Sequence, residues 1–100
     1  MINLYEKFEN YVPVATYIKK RVNENFLIVM SEKTEIFYLN DTAHFIYKNI
    51  DGISPISILF AKLKQEYDLS SVCEEEVKKD LIELIRDFQW QGLIRLKEVK

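Results

Sequence analysis

The residues best suited to covalent or metal chemistry are few and far apart. Cys73 is the sole cysteine and His44 the sole histidine in 100 residues. Cys73 falls near the start of a helix-forming stretch, where unpaired backbone N–H groups favour a thiolate, but no histidine neighbours it in sequence to take its proton. One helical turn after His44 stands Lys48 rather than a second ligand, so a metal pair at that spacing is missing. Glu74, Glu75 and Glu76 crowd the first turn of the same helix-forming stretch, where a helix dipole favours carboxylates. The other carboxylates are dispersed, and none pairs with a second group as acid and base. With two glycines in the whole chain there is no phosphate-cradling loop. The reading is therefore of a protein that is not an enzyme and carries no metal or cofactor, whose work is recognition.

Composition agrees. A chain of 100 residues, 48% hydrophobic and 30% charged, has the make-up of one globular domain. Its net charge of −2 lacks the basic excess of a free-standing nucleic-acid binder, so a protein or peptide partner is expected and nucleic acid is not. A lone cysteine rules out a disulfide within the monomer and fits a reducing compartment. The N-terminus lacks the pattern of a signal peptide, and the apolar runs at 26–30 and 58–61 are too short to cross a bilayer. The expectation is a cytoplasmic monomer or weak homodimer with no membrane partner.

Three strands and three helices would position these residues. Leu4, Tyr5, Phe8 and Tyr11, three or four apart, form a helical face or an irregular arm over residues 1–13, ended by Pro13. Tyr17–Val22, Phe26–Met30 and Glu35–Leu39 read as strands of an antiparallel meander, joined by polar turns at Asn23–Asn25 and Ser31–Thr34. From Asn40 the period becomes helical. One helix is capped by Asn40, Asp41 or Thr42 and stops at Gly52. A second is capped by Ser54 with Pro55 at its first position, and carries Ile56, Leu59, Phe60 and Leu63. After a break at Asp68–Ser70, Ser71 and Glu74 have capping-box spacing, and a third, longer helix runs to Gln91 and Gly92. A short strand over 93–99 follows. Residues 14–100 thus form an α+β, winged-helix-like domain, a three-stranded antiparallel sheet followed by three helices.

The run Tyr38-Leu39-Asn40-Asp41-Thr42-Ala43, then Ile46, Asp51-Gly52, Ile58, Glu66-Tyr67, Val77 and Asp80, ending Gln91-Gly92-Leu93-Ile94, resembles the family of the pyrroloquinoline quinone synthesis chaperone D over residues 14–96. The resemblance implies a recognition element that grips the leader of a ribosomally made precursor peptide between its third strand and third helix. It also implies a partner modifying enzyme, a radical SAM maturase or a leader peptidase.

The candidate peptide-binding residues follow from that implication joined to periodicity. If Glu35–Leu39 is a sheet edge, its free backbone groups template an added strand. Phe37 and Leu39 then face the core, and Ile36 and Tyr38 face away from it. On the third helix, at about 100° per residue, Val77, Leu81, Leu84 and Phe88 mark the expected core face, with Ile85 on its flank. Ile82 falls off that face among Lys78, Arg86 and Gln89. The expected groove is therefore Glu35, Ile36, Phe37, Tyr38 and Leu39 against Lys78, Ile82, Ile85, Arg86 and Gln89, suited to a leader with an apolar anchor and acidic residues. Trp90 projects away from the core face and is expected to close against the N-terminal aromatics.

Two other functions share the pattern. A DNA-binding winged helix would use the same helices, but Glu74–Glu76 would meet phosphates at the start of its recognition helix. A structural subunit of a maturation enzyme would dock without touching peptide.

Overall fold

The computed structural model describes residues 4–23, 26–67 and 73–98. Its elements are α1 (Leu4–Phe8), β1 (Val12–Ala15), β2 (Tyr17–Val22), β3 (Phe26–Ser31), β4 (Ile36–Asn40), α2 (Asp41–Lys48), α3 (Ile56–Glu66), α4 (Glu74–Trp90) and β5 (Ile94–Lys97). The expected three-stranded antiparallel sheet is present in the order β2-β3-β4 and is followed in the chain by α2, α3 and α4. The capping box at Ser71 and the break at 68–70 lie outside the described residues.

A second, two-stranded sheet pairs β1 with β5, Val12 opposite Lys97 and Ala15 opposite Ile94. Sequence periodicity had marked Pro13 as an interruption. Proline is tolerated here because a two-stranded ribbon leaves half its N–H positions without a ladder partner.

Alternation along the strands fixes which face is buried. Leu27 and Val29 on β3 and Leu39 on β4 point inward, with Phe37 half-buried beside them. They meet Ile46 and Tyr47 of α2, Ile56, Leu59, Phe60 and Leu63 of α3, and Leu81, Ile82, Ile85 and Phe88 of α4. The N-terminal segment belongs to this core as well. Tyr5 is buried, its ring 5.5 Å from that of Phe60.

The same segment caps α3. The sequence offers Ser54 as the cap, but the Ser54 hydroxyl donates to the Asp51 carboxylate at 2.9 Å, and Pro55 at the N-cap gives no side-chain acceptor. The first free N–H groups of α3, on Ile56 and Ser57, instead donate to the carbonyls of Tyr11 and Glu9, each at 3.0 Å. A helix start needs such acceptors wherever water is excluded.

Two turns complete the frame. α2 ends at Lys48, earlier than Gly52, and Asp51 then accepts the N–H groups of Ile53 (2.9 Å) and Ser54 (2.7 Å). Gly92, at φ +77°, lets the chain leave α4 and turn into β5. That left-handed conformation costs other residues about 1 kcal/mol or more.

Backbone hydrogen bonds from Ser54 and Ile53 hold the Asp51 carboxyl down to about 2. An acid whose folded pKa lies below its unfolded value of about 3.9 stabilises the fold above the latter. That contribution should be lost as pH falls from about 4 toward about 2. Thermal midpoints followed across this window should fall more steeply for the wild type than for Asp51→Asn, which has no charge to lose.

Candidate functional site

β4 has one neighbour in its sheet, β3. The amide of Ser31 donates to the carbonyl of Glu35 at 2.9 Å, and Phe37 and Leu39 stand opposite Val29 and Leu27. Backbone direction alternates along an antiparallel ladder. Residues 35, 37 and 39 therefore turn their polar groups toward β3, and Ile36 and Tyr38 turn theirs to the open edge. Their side chains lie on the outer face of the sheet, 53% and 67% exposed. Two N–H donors and two carbonyl acceptors thus line an edge that another strand could extend.

Two hollows lie along α4: one is enclosed with α2 and α3, and the other, at the C-terminal end of the helix, is shared with β4. One, of about 300 Å³, is lined by Thr42, Leu63, Tyr67, Val77, Asp80, Leu81 and Leu84. The other, of about 280 Å³, is lined by Lys33, Glu35, Phe37, Trp90 and Gln91. From Val77 to Gln91 the α4 residues that line the two hollows span about 21 Å at ~1.5 Å per residue.

The α4 wall differs from the one expected from periodicity. Ile82 and Ile85 are core residues, 2% and 1% exposed, and line neither hollow. Lys78 lies on the opposite flank, its Nζ 4.9 Å from the centre of the Tyr5 ring and 5.6 Å from that of Phe60, where α1 and α3 meet the helix. Arg86 and Gln89 are exposed and share a shallow surface depression with Glu83, Asp87 and Trp90. The residues of α4 and its C-cap that line the two hollows are instead Val77, Asp80, Leu81 and Leu84 in one and Trp90 and Gln91 in the other.

The reason lies in the width of the apolar band. Val77, Leu81, Ile82, Leu84, Ile85 and Phe88 cover nearly half the helix circumference, with Ile82 and Leu84 on opposite margins at about 100° per residue. Which margin is covered depends on neighbours, and α1 packs on the Lys78 side. Leu84 remains half-buried in the groove. Alternation along α4 gave no signal for this. Thr42, Leu63 and Tyr67 come from other elements, and only their tertiary positions reveal them.

Of the residues expected in the third strand, Phe37 and Glu35 (the latter just before β4) line the second hollow, Leu39 is core, and Ile36 and Tyr38 offer backbone at the open edge. Trp90 does not close against the N-terminal aromatics. It is 87% exposed at the mouth of the second hollow. Tyr5, Phe8 and Tyr11 pack without it. Cys73 is exposed, and among the described residues no group of three His, Cys, Asp or Glu side chains could hold a metal. No described helix is long and apolar enough to cross a membrane.

The groove margins can be tested by exchange. Ile82→Glu buries a charge at a cost of several kcal/mol, comparable with the whole stability of about 5–15 kcal/mol, and should leave the domain largely unfolded. Leu84→Gln should stay folded, losing about 1–2 kcal/mol. Thermal melts by circular dichroism distinguish them, and equal losses would place Leu84 in the core as well.

Residues 26–94, from β3 through the first residue of β5, match the family model for coenzyme PQQ synthesis protein D (PqqD). No curated protein and no solved structure matches the chain.

Proposed function

The chain belongs to the PqqD family, and from that premise we propose that it is a non-catalytic chaperone for the leader of a ribosomally synthesised precursor peptide. The leader lies along the open edge of β4 as an added strand, with alternate side chains directed at α4. The bound peptide is presented to a modifying enzyme, a radical SAM maturase or a leader peptidase, which supplies the chemistry. Catalysis is then gained through the high local concentration of a held substrate. In this reading α2, α3 and α4 are the helices of a winged-helix-like domain, turned from nucleic acid to peptide.

The observation that supports this reading is the open edge of β4, whose Phe37 shares a hollow with Trp90 and Gln91 at the end of α4. Magnitudes are consistent with a carrier. Four backbone hydrogen bonds at about 1 kcal/mol each and two buried anchors at about 2 kcal/mol each offset an ordering cost of several kcal/mol. The remainder suits reversible binding near the micromolar range. The DNA-binding alternative fits less well, because the exposed side of α4 carries Glu76, Asp80, Glu83 and Asp87, which would face phosphates.

Proline provides a test specific to the backbone. Tyr38→Pro removes an N–H that faces the open edge and leaves the bonds to β3 intact, a placement that edge strands tolerate. It should weaken leader binding by about fivefold or more, the loss of one hydrogen bond at about 1 kcal/mol, with the fold retained. Tyr38→Thr keeps the N–H and should bind within about threefold of wild type. Calorimetric titration of the leader, identified as the short precursor encoded beside this chain, reads both values. Equal binding by wild type and Tyr38→Pro would remove β4 from the site.

A further inference from the structure

The sheet β2-β3-β4 is apolar on both of its faces. The run Phe26–Met30 holds no polar residue. Leu27 and Val29 enter the core, so Phe26, Ile28 and Met30 point out from the opposite face. An antiparallel sheet with one face open to water normally alternates apolar inward and polar outward, and this one departs from that rule. The ladder registers place Lys19 of β2, Met30 of β3 and Ile36 of β4 in one row across the sheet, and Arg21, Ile28 and Tyr38 in another. Residues directly opposite in a ladder share a face. The outer face therefore has an apolar floor on β3 and β4 and a cationic border on β2. Ile36 and Tyr38 are exposed, and the Tyr38 ring meets that of Phe26 edge-on at 5.6 Å. A hollow of about 480 Å³ opens here, lined by Ile18, Ile28, Met30 and Ile36 together with Lys19 and Arg21. No carboxylate lines it, and neither Lys19 nor Arg21 is in an ion pair among the described residues.

We infer that this face docks an amphipathic helix of a partner protein, its apolar stripe over Ile28, Met30, Ile36 and Tyr38 and its carboxylates along the side that borders β2. The surface is separate from the open edge of β4, and the inference does not rest on where a leader binds. Backbone chemistry selects a helix. β3 is paired on both sides, so the floor offers no free backbone groups. An extended segment laid across it would leave its own N–H and C=O groups without partners, whereas a helix bonds them internally. Charge selects an acidic helix. Lys19 and Arg21, two residues apart on one strand, stand ~6.6 Å apart, and carboxylates four residues apart on a helix stand ~6 Å apart along its axis. Two successive helical turns thus meet the two cations. A second copy of this chain offers no such helix, because the apolar stripes of α2, α3 and α4 lie in its own core. Two outer faces laid together would bury both cations of each copy with no carboxylate beside them, which is costly. An anionic bilayer would match the charge, but its flat surface would leave the hollow unfilled.

The probe is a synthetic sixteen-residue helix with leucines on one stripe and glutamates four apart beside it. Its counterpart carries lysine in place of each glutamate. Titrated into the full chain, the acidic helix should shift the amide signals of Lys19, Arg21, Ile28 and Met30 together. It should bind about tenfold more tightly than the basic helix, the effect of two charge pairs at the rim of an apolar contact, and the gap should narrow at high salt. Lys19→Glu/Arg21→Glu changes two exposed side chains, should melt as wild type does, and should reverse the order so that the basic helix binds more tightly. If that variant unfolds, Lys19→Gln/Arg21→Gln should abolish the preference with the fold retained. Lys79→Glu/Lys97→Glu, two exposed cations away from this face, should keep the wild-type preference. An acidic helix that does not bind, that shifts signals elsewhere, or that binds no better than the basic one overturns the inference. Equal effects of the Lys19/Arg21 and Lys79/Lys97 variants also overturn it, since the attraction would then belong to net charge. So does sedimentation with phosphatidylserine vesicles in place of helix binding, which would give the face to a membrane. A dimer in sedimentation velocity that Lys19→Glu/Arg21→Glu disrupts would give the face to a second copy and likewise overturn it. In each case the leader reading, which concerns the β4 edge, is left standing.

Discussion

The carbonyl of Leu93 is where the separate parts of the molecule are tied together. It is buried, and it accepts the phenol of Tyr47 at 2.8 Å and the amide of Thr16 at 2.9 Å. The Thr16 hydroxyl donates to the neighbouring carbonyl of Gly92 at 3.1 Å. One turn after α4 is thereby bonded to α2 and to the link between β1 and β2. Burial pushes the Tyr47 phenol above its ordinary range, which favours the neutral form that donates this bond. Its ring also stacks edge-on against Phe88, 5.3 Å between centres. A buried carbonyl left without donors would cost about 1–3 kcal/mol, so these contacts hold the end of α4 in one place.

That anchoring sets the position of the groove. α4 is fixed at its C-terminal end by the Gly92 turn and by β5, which pairs with β1. Along its length Leu81, Ile82, Ile85 and Phe88 are held in the core, and near its start Lys78 rests on Tyr5 of α1. The helix cannot roll to bury Leu84 without exposing Ile82 and breaking these contacts. β4 is fixed independently by its ladder with β3 and by the tight turn at Ser31–Glu35, where the Ser31 hydroxyl accepts from the Lys33 and Glu35 amides. Two rigid walls that meet different neighbours leave a gap between them. A gap with one unsatisfied backbone edge is suited to an extended chain and poorly suited to a rounded small molecule.

Much of this was legible in the residues. The alternation over 35–39 located the inward face of β4 at Phe37 and Leu39, whereas the continuous apolar run over 26–30 marked a strand without saying which of its faces is buried. Gly92 marked the exit from α4 through its freedom at positive φ. The ordered run from Tyr38 to Ile94 carried the family resemblance, because it records turn and cap requirements at set distances. β1 was hidden by Pro13 and by its distance from β5, more than eighty residues later in the chain. The capping of α3 was misassigned to Ser54 because its actual acceptors, the Tyr11 and Glu9 carbonyls, arrive from a separate part of the chain.

The sequence by itself determined the three strands of the meander, the helices that follow them and the inward face of β4. These depend on local periodicity and on which side chains exist at all. Only the tertiary structure decided which margin of α4 lies open, because its apolar band is wide enough to satisfy two rotations and the choice belongs to α1 and β5. Lys78 on one flank and Asp80 on the other are equally available in a helical projection, and the space each side chain faces is defined only by its neighbours, α1 and α3 for Lys78 and α2 and α3 for Asp80.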